Sequence, residues 1–130
     1  MALCAAIGLM GITTTALAAE KEEKVKIPDT VEGIFKAIHE HHMELAETVK
    51  NKKLADVHLH AFAVRDLAKA LPPKAAADKK KQVEGAVKNI SKLADDLDKA
   101  GDDGKQAETE ALLKKLDGVL KVLEAQFEKK

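Results

Sequence analysis

Four segments of this chain carry apolar residues at the three- and four-residue spacing of a helix face, and that periodicity constrains the fold more than any other feature. The apolar stripes cover residues 31–49, 54–71, 83–97 and 112–127. Only short connections separate them, and short connections between helices impose antiparallel neighbours. The sequence therefore predicts an all-α protein, an up-down-up-down antiparallel four-helix bundle. Its helices are expected at about 30–50, 54–71, 78–100 and 104–128.

The composition supports helices and leaves little material for strands. The chain of 130 residues has no Trp or Tyr and three Phe, and 45% of its residues are apolar. That length and apolar share fit one domain with a modest core. Lys plus Arg and Asp plus Glu number 22 each, so the formal net charge is zero. No net field therefore attracts nucleic acid or an anionic membrane surface, and neither is expected as a partner.

Residues with capping preferences mark the predicted helix ends. Asp29 and Glu32 have the spacing of a capping box at the start of the first helix. Asp78 and Asp103 are candidate N-terminal caps of the third and fourth helices. Gly101 is expected to end the third helix in the left-handed conformation, because glycine has no Cβ to oppose it.

Residues 1–19 are predicted to be a cleavable signal peptide. The segment has no charged side chain, and Ala16-Leu17-Ala18 gives the small-x-small pattern of a cleavage site. An uncleaved anchor is the alternative, although the Gly and Thr content favours removal. Such a signal would direct the protein across the inner membrane to the periplasm. Its cleavage would leave no stable membrane anchor. Residues 20–29 would then be a charged linker, and residues 30–130 the bundle.

The histidines are concentrated at one hairpin. All five lie between His39 and His60, a stretch that contains the turn joining the first two helices. If the chain reverses near Asn51, two residues whose numbers sum to about 102 lie at the same height along the two antiparallel helices. His42 is then at the height of His60. Steps of about 100° per residue place both side chains within the apolar stripes of their helices. We therefore expect these two imidazoles to meet inside the hairpin.

Imidazole nitrogen is a good ligand for copper, zinc and nickel, so this inner pair is a candidate metal site. Two nitrogens are too few for a closed zinc site, which almost always has four ligands. His39 and Met43 are four residues apart and form a soft N/S pair suited to copper, whereas His41 and Glu44 form a pair on the other flank. His58, toward the outer edge of the second helix, could join a surface site. A homodimer could complete the coordination with a second set.

Two other interpretations of the histidines remain open. In the first they are packing residues, and the protein is a structural or interaction module, such as an envelope-stress or efflux-accessory protein with a periplasmic protein as its partner. In the second, paired side chains inside the bundle ligate haem, although the chain has no Cys-x-x-Cys-His attachment motif. Catalysis is not expected, because the sequence shows no nucleophile with an adjacent base, no paired inward carboxylates and no phosphate-binding glycine loop.

A family resemblance points in the same direction as the candidate metal site. The run KLADVHLHAFAVRDL over residues 53–67, together with the histidine-rich helix before it, resembles small exported helical proteins found in bacterial heavy-metal efflux settings. The resemblance implies a periplasmic location and a link to metal handling. The expectation is thus an exported, non-enzymatic bundle that binds or buffers copper, zinc or nickel through the first helical hairpin.

Overall fold

The structure, a computed structural model, describes residues 24–128 and shows the predicted all-α bundle. The order of the helices is α1 (Val31–Lys50), α2 (Val57–Lys69), α3 (Lys80–Asp102) and α4 (Gln106–Ala125). Short 3₁₀ turns at Leu54–Asp56 and Pro72–Lys74 flank α2, and no strand occurs between residues 24 and 128. The antiparallel four-helix prediction is confirmed. The predicted signal peptide and the first part of the linker lie outside the described residues.

The core is built from the apolar stripes of all four helices. Its largest fully buried side chains are Ile34, Ile38, Leu45, Val49, Val57, Val64, Leu67, Leu71, Ile90, Leu97, Leu116 and Leu123. Burying one side chain of this kind contributes about 1.5–3 kcal/mol relative to leaving it exposed. Thr109 is the one buried polar residue of the described chain, and its hydroxyl donates a hydrogen bond to the Lys105 carbonyl at 2.7 Å. No imidazole belongs to this core.

The caps differ from the sequence predictions. Thr30, and not Asp29, caps α1, because its hydroxyl oxygen accepts a hydrogen bond from the Gly33 amide at 3.0 Å. The N-terminal caps of α3 and α4 are Lys79 and Lys105, neither of which makes a side-chain capping bond. The predicted caps at residues 78 and 103 are therefore wrong.

Gly101 does not end α3 in the left-handed conformation. It lies within the helix and is buried, whereas Gly104, with φ of 68°, takes the left-handed conformation in the turn. A Cβ atom added at Gly101 would lie 2.6 Å from the carbonyl oxygen of Leu54 and 3.3 Å from Cβ of Val57. The absent side chain therefore lets the start of α2 pack directly against α3.

Different side-chain contacts join the helices at the two ends of the bundle. At the end with the first and third turns, the Gln106 side-chain amide donates to the Val49 carbonyl at 2.8 Å. At the opposite end the Phe35 and Phe127 rings pack edge to face, with 5.5 Å between centroids. Lys74 also donates to the Asp29 carbonyl there, at 2.7 Å. No helix of the described chain has a stretch that is long and apolar enough to cross a bilayer.

Candidate metal centre

His41 and His42 point to different neighbouring helices. Consecutive residues on a helix are separated by about 100° around its axis. The core-facing direction of α1 falls between these two side chains, so each of them lies at a margin of the apolar stripe. The His41 ring lies 5.9 Å from the His60 ring on α2, measured between centroids. His42 instead has Asp117 and Lys121 of α4 among its electrostatic neighbours.

The expected pairing of His42 with His60 is therefore replaced by a pairing of His41 with His60. The sequence predicted the axial alignment of α1 and α2 to within one residue, since the histidine beside His60 is the neighbour of the expected one. The sequence did not predict the rotation of α1 about its own axis. It depends on where α2 and α4 pack around α1, which the stripe of a single helix does not specify.

Glu44 completes a three-residue cluster with His41 and His60. Its Oε2 atom lies 3.3 Å from Nδ1 of His41 and 3.1 Å from Nδ1 of His60. The ligand atoms of all three residues lie within 4.8 Å of one another. Glu44 follows His41 by three residues, so a single turn of α1 brings both side chains to the same flank. We call this cluster the α1–α2 site.

The α1–α2 site is partly buried and opens to solvent beside its carboxylate. The side chains of His41 and His60 are 29% and 24% exposed, and that of Glu44 is 56% exposed. Nδ1 of His41 is buried and has no hydrogen-bond partner within residues 24–128, because its contact with Glu44 lacks hydrogen-bond geometry. Buried polar nitrogens are rarely left in this state, and an ion is one of the groups that satisfies them.

The donor set suits a divalent transition metal. Two imidazole nitrogens and one carboxylate oxygen form a three-ligand set of the kind that leaves one position of a zinc ion open. Two donors bound at about 2.0–2.1 Å to a tetrahedral ion lie roughly 3.3 Å apart. The two distances from the Glu44 oxygen to the imidazole nitrogens, 3.3 and 3.1 Å, are already close to that separation. The third separation, between the ligand nitrogens of His41 and His60, is within 4.8 Å, so the imidazoles would have to adjust to bind a common ion.

The remaining candidate ligands lie elsewhere. His39 faces α4, where its Nε2 atom is 3.3 Å from Oε2 of Glu124. Met43 is 71% exposed on the outside of α1, and its pairing with His39 stays a prediction. His58 is held at the start of α2, with Nδ1 2.8 Å from the Ala55 carbonyl oxygen. The structure thus brings together His41 and His60 of the six predicted ligands.

His42 lies in a partly buried environment with charged neighbours. Burial lowers the pKa of His42 below its usual value, and the nearby charges of His39 and Lys121 act in the same direction. Asp117 opposes them by raising this pKa. Nε2 of His42 is also buried without a hydrogen-bond partner among the described residues. The neutral form of this imidazole is therefore favoured in the folded protein.

Sequence reasoning missed the carboxylates of α4 that lie beside His39 and His42. The sequence did contain a signal, because Asp117, Lys121 and Glu124 have the i, i+4, i+7 spacing of one helix face. Nothing in that spacing indicates which helix the face meets. Glu44 was recognised as a partner of His41, but its contact with His60 depends on the packing of α1 against α2.

A shallow groove between α3 and α4 lies away from these residues. It has a volume of about 840 Å³, and its lining includes Leu93, Leu112, Val119 and Val122 together with Lys92. No imidazole contributes to its lining.

Comparison with models of protein families, with curated proteins and with solved structures finds no match to this chain.

Proposed function

We propose that this protein is an exported, non-enzymatic bundle that binds and buffers a divalent transition-metal ion at His41, Glu44 and His60. The observation that carries the proposal is the position of the Glu44 carboxylate, 3.3 Å and 3.1 Å from the two imidazole nitrogens. The grouping of three potential ligand atoms within 4.8 Å of one another supports this assignment.

Zinc, copper and nickel are the ions we assign to this site. Imidazole and carboxylate together suit these borderline metals, and copper binds most tightly of the three by the general affinity order. The mature chain would contain no cysteine, because Cys4 lies in the predicted signal peptide. Thiolate ligation is then absent, and a site with three donors and partial exposure favours exchangeable binding over permanent structural binding.

The periplasm is the compartment we propose. The uncharged segment 1–19, ending in the small-x-small pattern at Ala16 to Ala18, supports export. The resemblance of residues 53–67 to exported proteins of heavy-metal efflux settings supports a role in metal homeostasis. A metal buffer there would take up ions released near the efflux machinery.

The test is a metal titration of the protein purified in the form in which the cell produces it. Native mass spectrometry with zinc, copper and nickel should show a bound ion. His41→Gln, Glu44→Gln and His60→Gln should each weaken binding at least about tenfold, since even ligand-supporting residues contribute that much. His58→Gln is the matched control, because it removes an imidazole from the same helix as His60 without touching the α1–α2 site.

The same experiment distinguishes the competing interpretations. A parent protein that binds none of the three metals would refute the proposal and favour a structural or interaction module with packing histidines. Binding of haem in a parallel titration, without metal binding, would favour the haem interpretation. An affinity that changes as much in His58→Gln as in His60→Gln would also contradict the assigned ligands.

A further inference from the structure

The seam between α1 and α4 has polar residues between two fixed ends. Gln106 and Val49 hold one end through a hydrogen bond, and the Phe35 and Phe127 rings hold the other. Between these contacts α1 and α4 touch each other less extensively than the other neighbouring helices do. The side chains there are His39 and His42 of α1 and Asp117, Lys121 and Glu124 of α4, a group we call the α1–α4 seam.

Two imidazoles on one flank of α1 face this seam. His39 and His42 are three residues apart, which places them one turn apart on neighbouring positions of the helix surface. Nε2 of His39 lies 3.3 Å from Oε2 of Glu124, so an imidazole nitrogen and a carboxylate oxygen already meet. The side chains of His39 and Glu124 are about half exposed, at 52% and 42%, so an ion can reach them from solvent.

His42 adds a buried nitrogen with no bonding partner. Its Nε2 atom is inaccessible to solvent and makes no hydrogen bond within the described residues. A buried polar atom without a partner destabilises the fold, so such atoms usually have a compensating ligand or role. Coordination of a metal ion would give this nitrogen a partner.

Two carboxylates of α4 lie on the same helix face as a lysine. Asp117 and Glu124 are seven residues apart, so they share one face of α4, and Lys121 lies between them. The Lys121 ammonium is 2.8 Å from Oδ2 of Asp117. Lys121 therefore supplies positive charge where a metal ion would also be attracted, and it opposes the entry of a second cation.

We propose that the α1–α4 seam is a second, weaker site for the same class of divalent transition metals. His39 and His42 supply nitrogen ligands and Glu124 supplies an oxygen ligand, while Asp117 adds negative charge close by. The ligand atoms must close around the ion by side-chain rotation, since only those of His39 and Glu124 are shown in contact. That rearrangement and the charge of Lys121 make binding weaker here than at the α1–α2 site. The two sites share no residue, so either can exist without the other.

The test is the metal stoichiometry of the whole protein, measured by native mass spectrometry and by calorimetry with zinc. The parent protein should bind two ions with different affinities. The His39→Gln/His42→Gln variant should keep only the tighter one. The His41→Gln/His60→Gln variant should keep only the weaker one, so failure at one site is distinguished from failure at the other. Unchanged helical content of both metal-free variants, by circular dichroism, is the folding control.

Lys121→Met provides a second readout that loss of folding cannot imitate. Removing the competing ammonium while keeping an apolar stem should raise the affinity of the weaker site several-fold and leave the tighter site unchanged. Lys115→Met, which removes a charge from another face of α4, is the matched control. A parent protein with a single zinc site, a second ion that persists in His39→Gln/His42→Gln, or an affinity unaffected by Lys121→Met would overturn the proposal.

Discussion

Replacement of Gly101 by alanine is expected to destabilise the bundle even though alanine is the better helix former. Inside α3 the substitution gains about 1 kcal/mol of helix propensity. The new Cβ would lie 2.6 Å from the Leu54 carbonyl oxygen, a backbone atom that cannot rotate away, and 3.3 Å from Val57. Overpacking of this kind costs typically about 1–3 kcal/mol. With the cost near its upper end, the net loss is about 1–2 kcal/mol.

Gly85→Ala is the matched control. Gly85 lies in the same helix, and a Cβ there would meet nothing within 4 Å. Only the propensity effect operates, so this variant should be stabilised by about 1 kcal/mol. The difference between the two variants therefore isolates the steric effect of the contact between α3 and the start of α2.

The assay is equilibrium unfolding in urea, followed by circular dichroism. The midpoint should fall for Gly101→Ala and rise for Gly85→Ala. A stabilisation of Gly101→Ala equal to that of Gly85→Ala would refute the close approach of Leu54. The contact also bears on the proposed metal site, because Val57 precedes His60 by one turn of α2. Displacement of this turn should weaken metal binding at the α1–α2 site in Gly101→Ala but not in Gly85→Ala.

Three further predictions concern charge, capping and proton competition. Because burial lowers the pKa of His42 in the folded protein, the unfolded chain binds more protons below the usual value of 6.5. Stability should therefore fall as the pH drops through 6.5 toward the lowered pKa, and His42→Gln should show a shallower fall in urea midpoints measured between about pH 8 and about pH 5. Equal slopes would contradict the burial effect. Thr30→Ala removes the one side-chain cap of α1 and should lower stability by about 0.5–2 kcal/mol, whereas Asp29→Ala should change the same unfolding midpoint much less. Zinc binding at the α1–α2 site should weaken on acidification and release protons, because His41 and His60 must be neutral to ligate. Calorimetry at about pH 6, where an ordinary imidazole is largely protonated, in buffers of different ionisation enthalpy measures that release, and its absence there would exclude imidazole ligation.

The sequence was sufficient for the architecture because the forces that specify it are largely local. Each apolar stripe forms one face of one helix, and each short connection forces the next helix to run back along the last. The stripes also indicated how the two helices of the first hairpin align along their axes, so the expected partner of His60 on α1 was only one residue from the observed one. The i, i+3 spacing of His41 and Glu44 was likewise visible without a fold.

The tertiary structure alone decided which histidines come together. His41 and His42 lie about 100° apart, on either side of the core-facing direction of α1, so the rotation of that helix decides which of them meets α2 and which meets α4. That rotation is set by the packing of α2 and α4 together. Gly101 shows the same limit, since its lack of a side chain is explained by Leu54 of another element. A residue's own sequence neighbours fix its position along a helix, but only the neighbouring helices fix what it touches.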